Sequence, residues 1–255
     1  MKPQDCATQW LVPAWDASGV GAVMTTRDGG VSGAPFDAMN LSQRVGDDPA
    51  AVRANRVQFA QAVGASPVYL QQVHGCKVLR LGRHDARADS AAHEADASVT
   101  TEPGLACTVL VADCLPVLFA APQARAVGAA HAGWRGLASG VLEATLAEVC
   151  QAAACASAQV QCWLGACIGP RCFEVGADVL QAFGVGDARA SGFEPRVNGK
   201  WLADLALLAR MRLNAAGVGA VHGGRWCTFE ERQRFFSYRR DRTTGRMAAA
   251  IWIRA

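Results

Sequence analysis

The sequence has no run approaching the roughly 18 uninterrupted apolar residues of a membrane span. Its opening stretch, MKPQDCATQWLVPAW, has no apolar core of signal-peptide length. The expectation is a soluble, cytoplasmic protein with no membrane partner. Neither sign of charge dominates: 25 Lys and Arg against 22 Asp and Glu leave +3, too small an excess to argue for nucleic acid. Basic residues are scattered except in RQRFFSYRRDRTTGR, which holds six Arg in fifteen positions and reads as an anion pocket or a nucleic-acid patch. The ten Cys, from Cys6 to Cys227, include no CxxC pair, which argues against a zinc ribbon or a thioredoxin-type site. In a reducing compartment most of them are small buried hydrophobes, and a few are ligands or nucleophiles. Internal repeats and low-complexity linkers are also missing. With 51% hydrophobic residues the chain has ample core material, and residues 1–255 are assigned to one domain, monomeric or homodimeric.

What is present is a series of short apolar runs. Residues 21–26, 68–71, 77–81, 106–112, 116–120, 126–130, 160–165 and 247–253 read as strands, mostly continuous in apolar character, as expected where both faces are covered. Helices alternate loosely with them. DDPAAVRANRVQFAQAVG opens with Asp48 as N-cap and Pro49 at the first helical position, and Gly64 stops it. SGVLEATLAEVCQAA puts Val141, Leu142, Thr145, Leu146, Val149 and Cys150 on one face. VGADVLQAFG and LADLALLARMRLNAAG follow the same logic. The fold class is α/β, a layered mixed sheet core covered by helices. The polar, Ala-rich segment 83–97, RHDARADSAAHEADA, reads as an exposed loop.

There are only five His. His84 and His93 fall in the polar segment and are expected to be idle; His222 is open. His74 follows an apolar strand in LQQVHG, and His131 closes the run AVGAAHAG. Cys114 ends TVLVADC. A thiol and two imidazoles thus stand at the exits of three strands, where sheet proteins build their pockets. The set suits zinc, and three protein ligands leave the fourth position open, the mark of a catalytic site. Zinc brings the pKa of a water there to about 7. Spacing alone favours a packed thiol and two hydrogen-bonded core histidines, because the intervals are long and no compact pattern supports the metal. Asp113 and Cys114 are neighbours, and on a regular strand they would face opposite ways; a bulge, or a strand ending at Ala112, would let both reach one pocket. Asp113 is then either a buried carboxylate needing partners, and a candidate catalytic acid beside the metal, or a turn residue.

Arginines supply a second theme. Arg27 lies in TTRDGGVSG before a Gly-rich turn, Arg135 follows His131 by four residues, and FFSYRRDRTTGR offers Ser237, Tyr238, Arg239 and Arg240. Guanidinium forks match phosphate oxygens, so Arg27, Arg135 and Arg239 are candidate phosphate ligands. GACIGPRCFEVG holds two Cys, three Gly and a Pro in a sharp turn ahead of a helix; it reads as a tight connection or a part of the pocket.

Six stretches, TTRDGGVSGAPFDAMNLSQRVGDDPAAVRANR, QQVHG, DASVTTEPGLACTVLVADCLPVLF, AVGAAHAGWRG, GACIGPRCFEVG and FFSYRRDRTTGRMAAAIWI, resemble the laccase-domain (YfiH-like, polyphenol-oxidase) family in its own order from about residue 20 to 253. The resemblance implies an α/β/β/α sandwich and a zinc site on His74, Cys114 and His131. It implies phosphorolysis of adenosine, inosine, guanosine and methylthioadenosine to base and ribose 1-phosphate, with deamination of adenosine. The family's Arg and Asn of the first stretch fall on Arg27 and Asn40, and its GWRG Arg on Arg135; Arg171 stands where the family often has a smaller residue. Copper is an alternative occupant, since it outcompetes zinc at such donors. With five His and no His-x-His, the chain cannot build a multicopper centre, and phenol oxidation would be a side reaction. The rival reading is a hydrolase with Cys114 as nucleophile and His131 or His74 as base, of the kind linked to editing cell-wall peptide precursors. Partners are small nucleosides and phosphate rather than nucleic acid.

Overall fold

The computed structural model describes residues 10–86, 93–185 and 192–254; Cys6 and the middle of the polar segment 83–97 lie outside them. In chain order the first elements are β1 (Val20–Met24), α1 (Pro49–Val63), β2 (Ser66–Tyr69), β3 (Val78–Leu81), β4 (Ala97–Thr100) and β5 (Leu105–Val111). There follow β6 (Leu115–Ala120), β7 (Val127–Ala132), α2 (Trp134–Ala138), α3 (Val141–Ala153), β8 (Gln161–Leu164), β9 (Glu174–Val175) and α4 (Ala177–Ala182). The last are β10 (Phe193–Pro195), β11 (Trp201–Ala203), α5 (Leu205–Ala215), β12 (Ala220–Gly223), α6 (Tyr238–Asp241) and β13 (Met247–Ile253).

The layering follows from strands that are apolar on both faces. β1, β13, β5 and β2 form a four-stranded sheet, and β12, β8, β6, β7, β4 and β3 form a six-stranded one. Along β5 and β13 alternate side chains enter different cores. Cys107, Val109, Met247, Ala249 and Ile251 pack with Leu118, Val127 and Ala129 of the facing sheet. Ala106, Ala248 and Ala250 point the other way, onto Phe59 and Val63 of α1. The six-stranded sheet repeats the pattern: Val99, Val117 and Ala130 take its outer side against Val141, Leu142, Leu146 and Val149 of α3. The result is helix, sheet, sheet, helix, the expected sandwich. Burying each such aliphatic side chain contributes about 1.5–3 kcal/mol, so the two facing sheets give the site a rigid floor.

The helix ends behave as the sequence indicates. Asp48 accepts the Ala50 N–H at 2.9 Å, Pro49 opens α1, and Gly64 closes it at φ +65°. In α3 the buried stripe is Val141, Leu142, Thr145, Leu146 and Val149; Cys150 is only half-buried. Several elements escape a sequence reading. β4 is four small residues, ASVT, and the small sheet β10-β11-β9 uses strands of two or three residues, too short for any periodicity. The polar segment is a more substantial correction: it is not simply an exposed loop. Asp85, Ala95, Asp96 and Ala97 are buried, because Asp96 finds a full set of donors as the chain enters β4. No helix among the described residues is long and apolar enough to cross a membrane.

Candidate metal centre and its cationic cavity

Two turns and the end of a strand bring the donors together. β5 stops at Val111 and β6 starts at Leu115, so Ala112, Asp113 and Cys114 form the connection. Asp113 takes φ +89°, a left-handed conformation that Asp tolerates better than most residues. This break frees Asp113 and Cys114 from strand alternation, as their adjacency requires. His74 sits on a second turn, also left-handed at φ +63°. His131 is the penultimate residue of β7 and is buried.

One carboxylate organises two of the three. Asp96 is fully buried. Its Oδ1 accepts the His74 N–H at 2.9 Å and faces His131 Nδ1 at 2.8 Å. Its Oδ2 accepts the N–H groups of Val73 at 3.1 Å and Gly75 at 2.7 Å. Burial alone would raise its pKa, but His131 and the backbone donors outweigh it and hold the carboxyl below its ordinary value. An ionised Asp96 makes His131 Nδ1 the donor, so Nε2 is the nitrogen left for a ligand. Sequence reasoning missed Asp96; its one signal was a carboxylate directly before a strand at the end of an otherwise featureless segment.

The Cys114 Sγ lies 3.7 Å from His74 Nε2, and the two histidine rings meet edge-on at 4.8 Å between centroids. Ligand atoms of His74, Cys114 and His131 all lie within 4.8 Å of one another. Burial disfavours a thiolate at Cys114, yet His131 and His74 overcome it and bring the thiol down to about 6. Burial likewise disfavours a charged His131, while Cys114 and Asp96 raise it to about 9. A deprotonated thiol and two oriented imidazoles are the donor chemistry of a divalent metal site. The set fits zinc and would also accept copper. Room for it depends on Gly133: a Cβ there would stand 2.7 Å from His74 Cδ2 and 3.0 Å from Cys114 Sγ.

The triad lines a cavity of about 1310 Å³ whose wall is strongly cationic: Arg44, Arg53, Arg56, Arg135, Arg239, Arg242 and Arg246 against Asp85 and Asp113. Trp134, Phe173, Tyr69 and Tyr238 supply aromatic surface. Arg135 stacks on Trp134 at 4.2 Å, and Arg56 on Tyr69 at 3.8 Å. Among the described residues, the guanidinium groups of Arg53, Arg135 and Arg242 make no hydrogen bond and so keep their donors for a ligand. Arg239 spends Nη1 on the Glu174 carbonyl. Of the C-terminal arginine cluster, Arg239, Arg242 and Arg246 reach the cavity. Arg240 does not: it staples the carbonyls of Thr228, Phe229 and Phe235. Arg53 and Arg56, three apart on α1, carried a helical-face signal that was overlooked.

Arg27 and Asn40 are not brought to the cavity either. Arg27 gives its donors to the Asp37 carbonyl and carboxylate and the Arg232 carbonyl, and lies over Phe236. Asn40 is fully buried, bonding Asp47, the Ser42 carbonyl and the Ser42 and Arg246 N–H groups; it bears on the site by fixing the backbone of Ser42 and Arg246, which line the cavity. Asp113 does line the cavity, but its Oδ1 accepts from the Thr228 hydroxyl and its Oδ2 from the Arg239 N–H, both at 2.6 Å. His84 and His93 flank Asp85 instead of joining the triad. His222 Nε2 is buried with no partner among the described residues.

The family model described as multi-copper polyphenol oxidoreductase laccase matches residues 21–254. The chain belongs to the laccase-domain family. Its relatives include a protein of Pseudomonas aeruginosa named purine nucleoside phosphorylase, 49% identical over 96% of this chain and 98% of that one. Another is the purine nucleoside phosphorylase YfiH of Escherichia coli, 47% identical over 95% and 98%. Among solved laccase-domain relatives, a Neisseria meningitidis protein superposes with a TM-score of 0.90 at 45% identity, covering 97% of this chain and 100% of its own. YlmD of Geobacillus stearothermophilus gives 0.91 at 33% identity, covering 98% and 97%. The fold and the family are therefore those that the sequence motifs implied.

Proposed function

We propose that this chain is a zinc-dependent purine nucleoside phosphorylase. It takes adenosine, inosine, guanosine or methylthioadenosine with phosphate to the free base and ribose 1-phosphate, and it deaminates adenosine in the same cavity. One observation carries the reading: a His–Cys–His donor set opens onto a cavity lined by unspent guanidinium groups and aromatic side chains, in a chain whose close relatives are named for this activity.

The residues divide the work by their chemistry. Arg135 and Arg242, free of internal hydrogen bonds, receive phosphate, with Arg239 and Arg246 beside them. Phosphorolysis forms a bond from a phosphate oxygen to C1′ while the C1′–N9 bond breaks, and charge develops on both leaving base and sugar. Preorganised cations stabilise that redistribution without reorganising during the step. Trp134, Phe173 and Tyr238 offer flat surface for the purine. Asp113 is a positioning residue: it holds the Arg239 segment against the turn that carries Cys114. His74, Cys114 and His131 would hold the metal, which would supply Lewis acidity when bound. Asn40 and Arg27 act behind the cavity, on its supporting backbone.

The test is metal analysis of protein purified without an affinity tag, coupled to an inosine-plus-phosphate assay. Ribose 1-phosphate and hypoxanthine in equal amounts, lost together in Cys114→Ala, are the expected result. Free ribose in place of ribose 1-phosphate would make the enzyme a hydrolase, and absence of base release would overturn the reading. A second reading, Cys114 as a hydrolytic nucleophile, is favoured by its thiolate–imidazolium pairing with His131. Iodoacetamide separates the two: a ligand is protected by metal, a nucleophile by substrate.

A further inference from the structure

We propose that Cys172, Cys227 and Glu230 form a second metal site, selective for a thiophilic dication such as zinc or cadmium, in the wall behind the cavity. The Sγ atoms of the two cysteines and a carboxylate oxygen of Glu230 lie within 4.8 Å of one another. None of the three takes part in the nucleoside chemistry, and the GPRC turn that carries Cys172 is the one prominent motif which that chemistry leaves unexplained.

The surroundings are those of a ligand set. The turn folds back on itself, with the N–H groups of Cys172 and Phe173 both donating to the Gly169 carbonyl, at 3.0 and 3.1 Å. This aims the Gly169 N–H at Cys227 Sγ, 3.2 Å away. That contact fixes the Cys227 sulfur in place beside Cys172 and Glu230. Gly169 also permits the approach: a Cβ there would press on Cys227 Cβ and Sγ at 3.1 Å. Cys227 is buried, so its thiolate needs a cation nearby. Arg171 grips Glu230 through two parallel bonds of 3.0 Å. Each carboxylate oxygen keeps a second lone pair, so the fork orients Glu230 as an outer partner orients a ligand. A dication and Arg171 together neutralise two thiolates and a carboxylate. Two sulfurs in the set select zinc or cadmium over magnesium or calcium.

The site is tied to the cavity by its neighbours. Ile168 and Phe173 bracket the GPRC turn and line the cavity. Thr228, next to Cys227, holds Asp113, whose neighbour is Cys114. An ion at the second site therefore pins one wall of the first.

The test is anaerobic titration of the full, reduced, metal-free chain with cadmium alone, read by sulfur-to-metal charge-transfer absorption. Two tight equivalents are expected. Cys172→Ser should lose one and keep the other, Cys114→Ser should show the converse, and the double variant should bind none tightly. Retention of the Cys114 equivalent in Cys172→Ser doubles as proof that the variant is folded. Glu230→Gln should weaken the second equivalent by about tenfold or more. A single equivalent in the wild-type protein, or two in Cys172→Ser, would overturn the proposal. So would a Cys172–Cys227 disulfide in the purified protein whose reduction adds no second equivalent.

Discussion

Asp96→Asn puts the most weight on the geometry of the triad. The native carboxylate accepts four donors, two on each oxygen. An amide has one oxygen and one NH2, so two of the four must face a donor. If the oxygen stays towards His131, the Val73 and Gly75 N–H groups are repelled and the turn carrying His74 loosens. If the amide turns over, His131 Nδ1 must become an acceptor, and its proton moves to Nε2, where a metal would bind. Either orientation damages one histidine. Two hydrogen bonds to a charged group are lost, each about 1.5–3 kcal/mol. Water at the exposed His74 turn replaces part of that, leaving a destabilisation of about 2–4 kcal/mol. Removing a partner that orients one metal ligand typically costs about 10–100-fold in affinity. Here one carboxylate serves two ligands, so we expect about 100-fold or more, equivalent to roughly 2.7 kcal/mol.

Two measurements are needed, because destabilisation and loss of affinity have different origins. Competition against a chromophoric chelator reads zinc affinity; thermal unfolding of the metal-free protein reads the turn. A folded Asp96→Asn variant with wild-type affinity would refute the argument outright. It would show that Asp96 merely anchors the backbone and that the histidine rings are oriented by packing.

Other consequences are more local. Gly133→Ala has a compatible backbone at φ −65°, but its Cβ would meet His74 at 2.7 Å. Zinc affinity should fall about tenfold or more in the same chelator competition, with a near-native melting profile. Arg135→Ala removes an unspent charged donor, worth about 1.5–3 kcal/mol; steady-state kinetics should show the KM for phosphate rising about tenfold or more with the KM for inosine little changed. In metal-free protein, the Cys114 thiol at about 6 and the Cys172 thiol at about 11 should separate on alkylation. The thiolate is the reactive form. Labelling of Cys114, followed by peptide mass spectrometry, should therefore persist as pH falls and fade only near 6, while Cys172 stays unlabelled at neutrality. A midpoint near 9 for Cys114 would show that His131 and His74 do not stabilise its thiolate.

Donors at strand exits were legible in the sequence because two local facts coincide there. An apolar run ends, so the backbone turns, and the first polar residue after it has a free direction to point. Cys114, His74 and His131 were found on that ground, and the Asp113–Cys114 adjacency correctly required a break in the strand. Asp96 obeys the mirror-image rule, a polar residue just before a strand, but β4 is so small and weakly apolar that the strand itself went unnoticed. The residue that orients the centre was thus hidden by the modesty of the element it precedes.

The arginines show a different limit. Arg27, Arg240, Arg135 and Arg242 all sit beside glycines, aromatics or turns, and nothing in their sequence neighbourhoods separates them. In space they part cleanly. Arg27, although it also lies over a ring, and Arg240 meet carbonyl groups and carboxylates that consume their donors, whereas Arg135 and Arg242 meet aromatic faces alone, which attract the charge but leave the N–H groups free. A guanidinium stacked on a ring is held in place without being satisfied, and that is the condition for recognising an anion. The partners that decide it come from chain positions up to 205 residues away. The identity of an arginine as staple or ligand is therefore a property of the assembled cavity and not of its own stretch of chain.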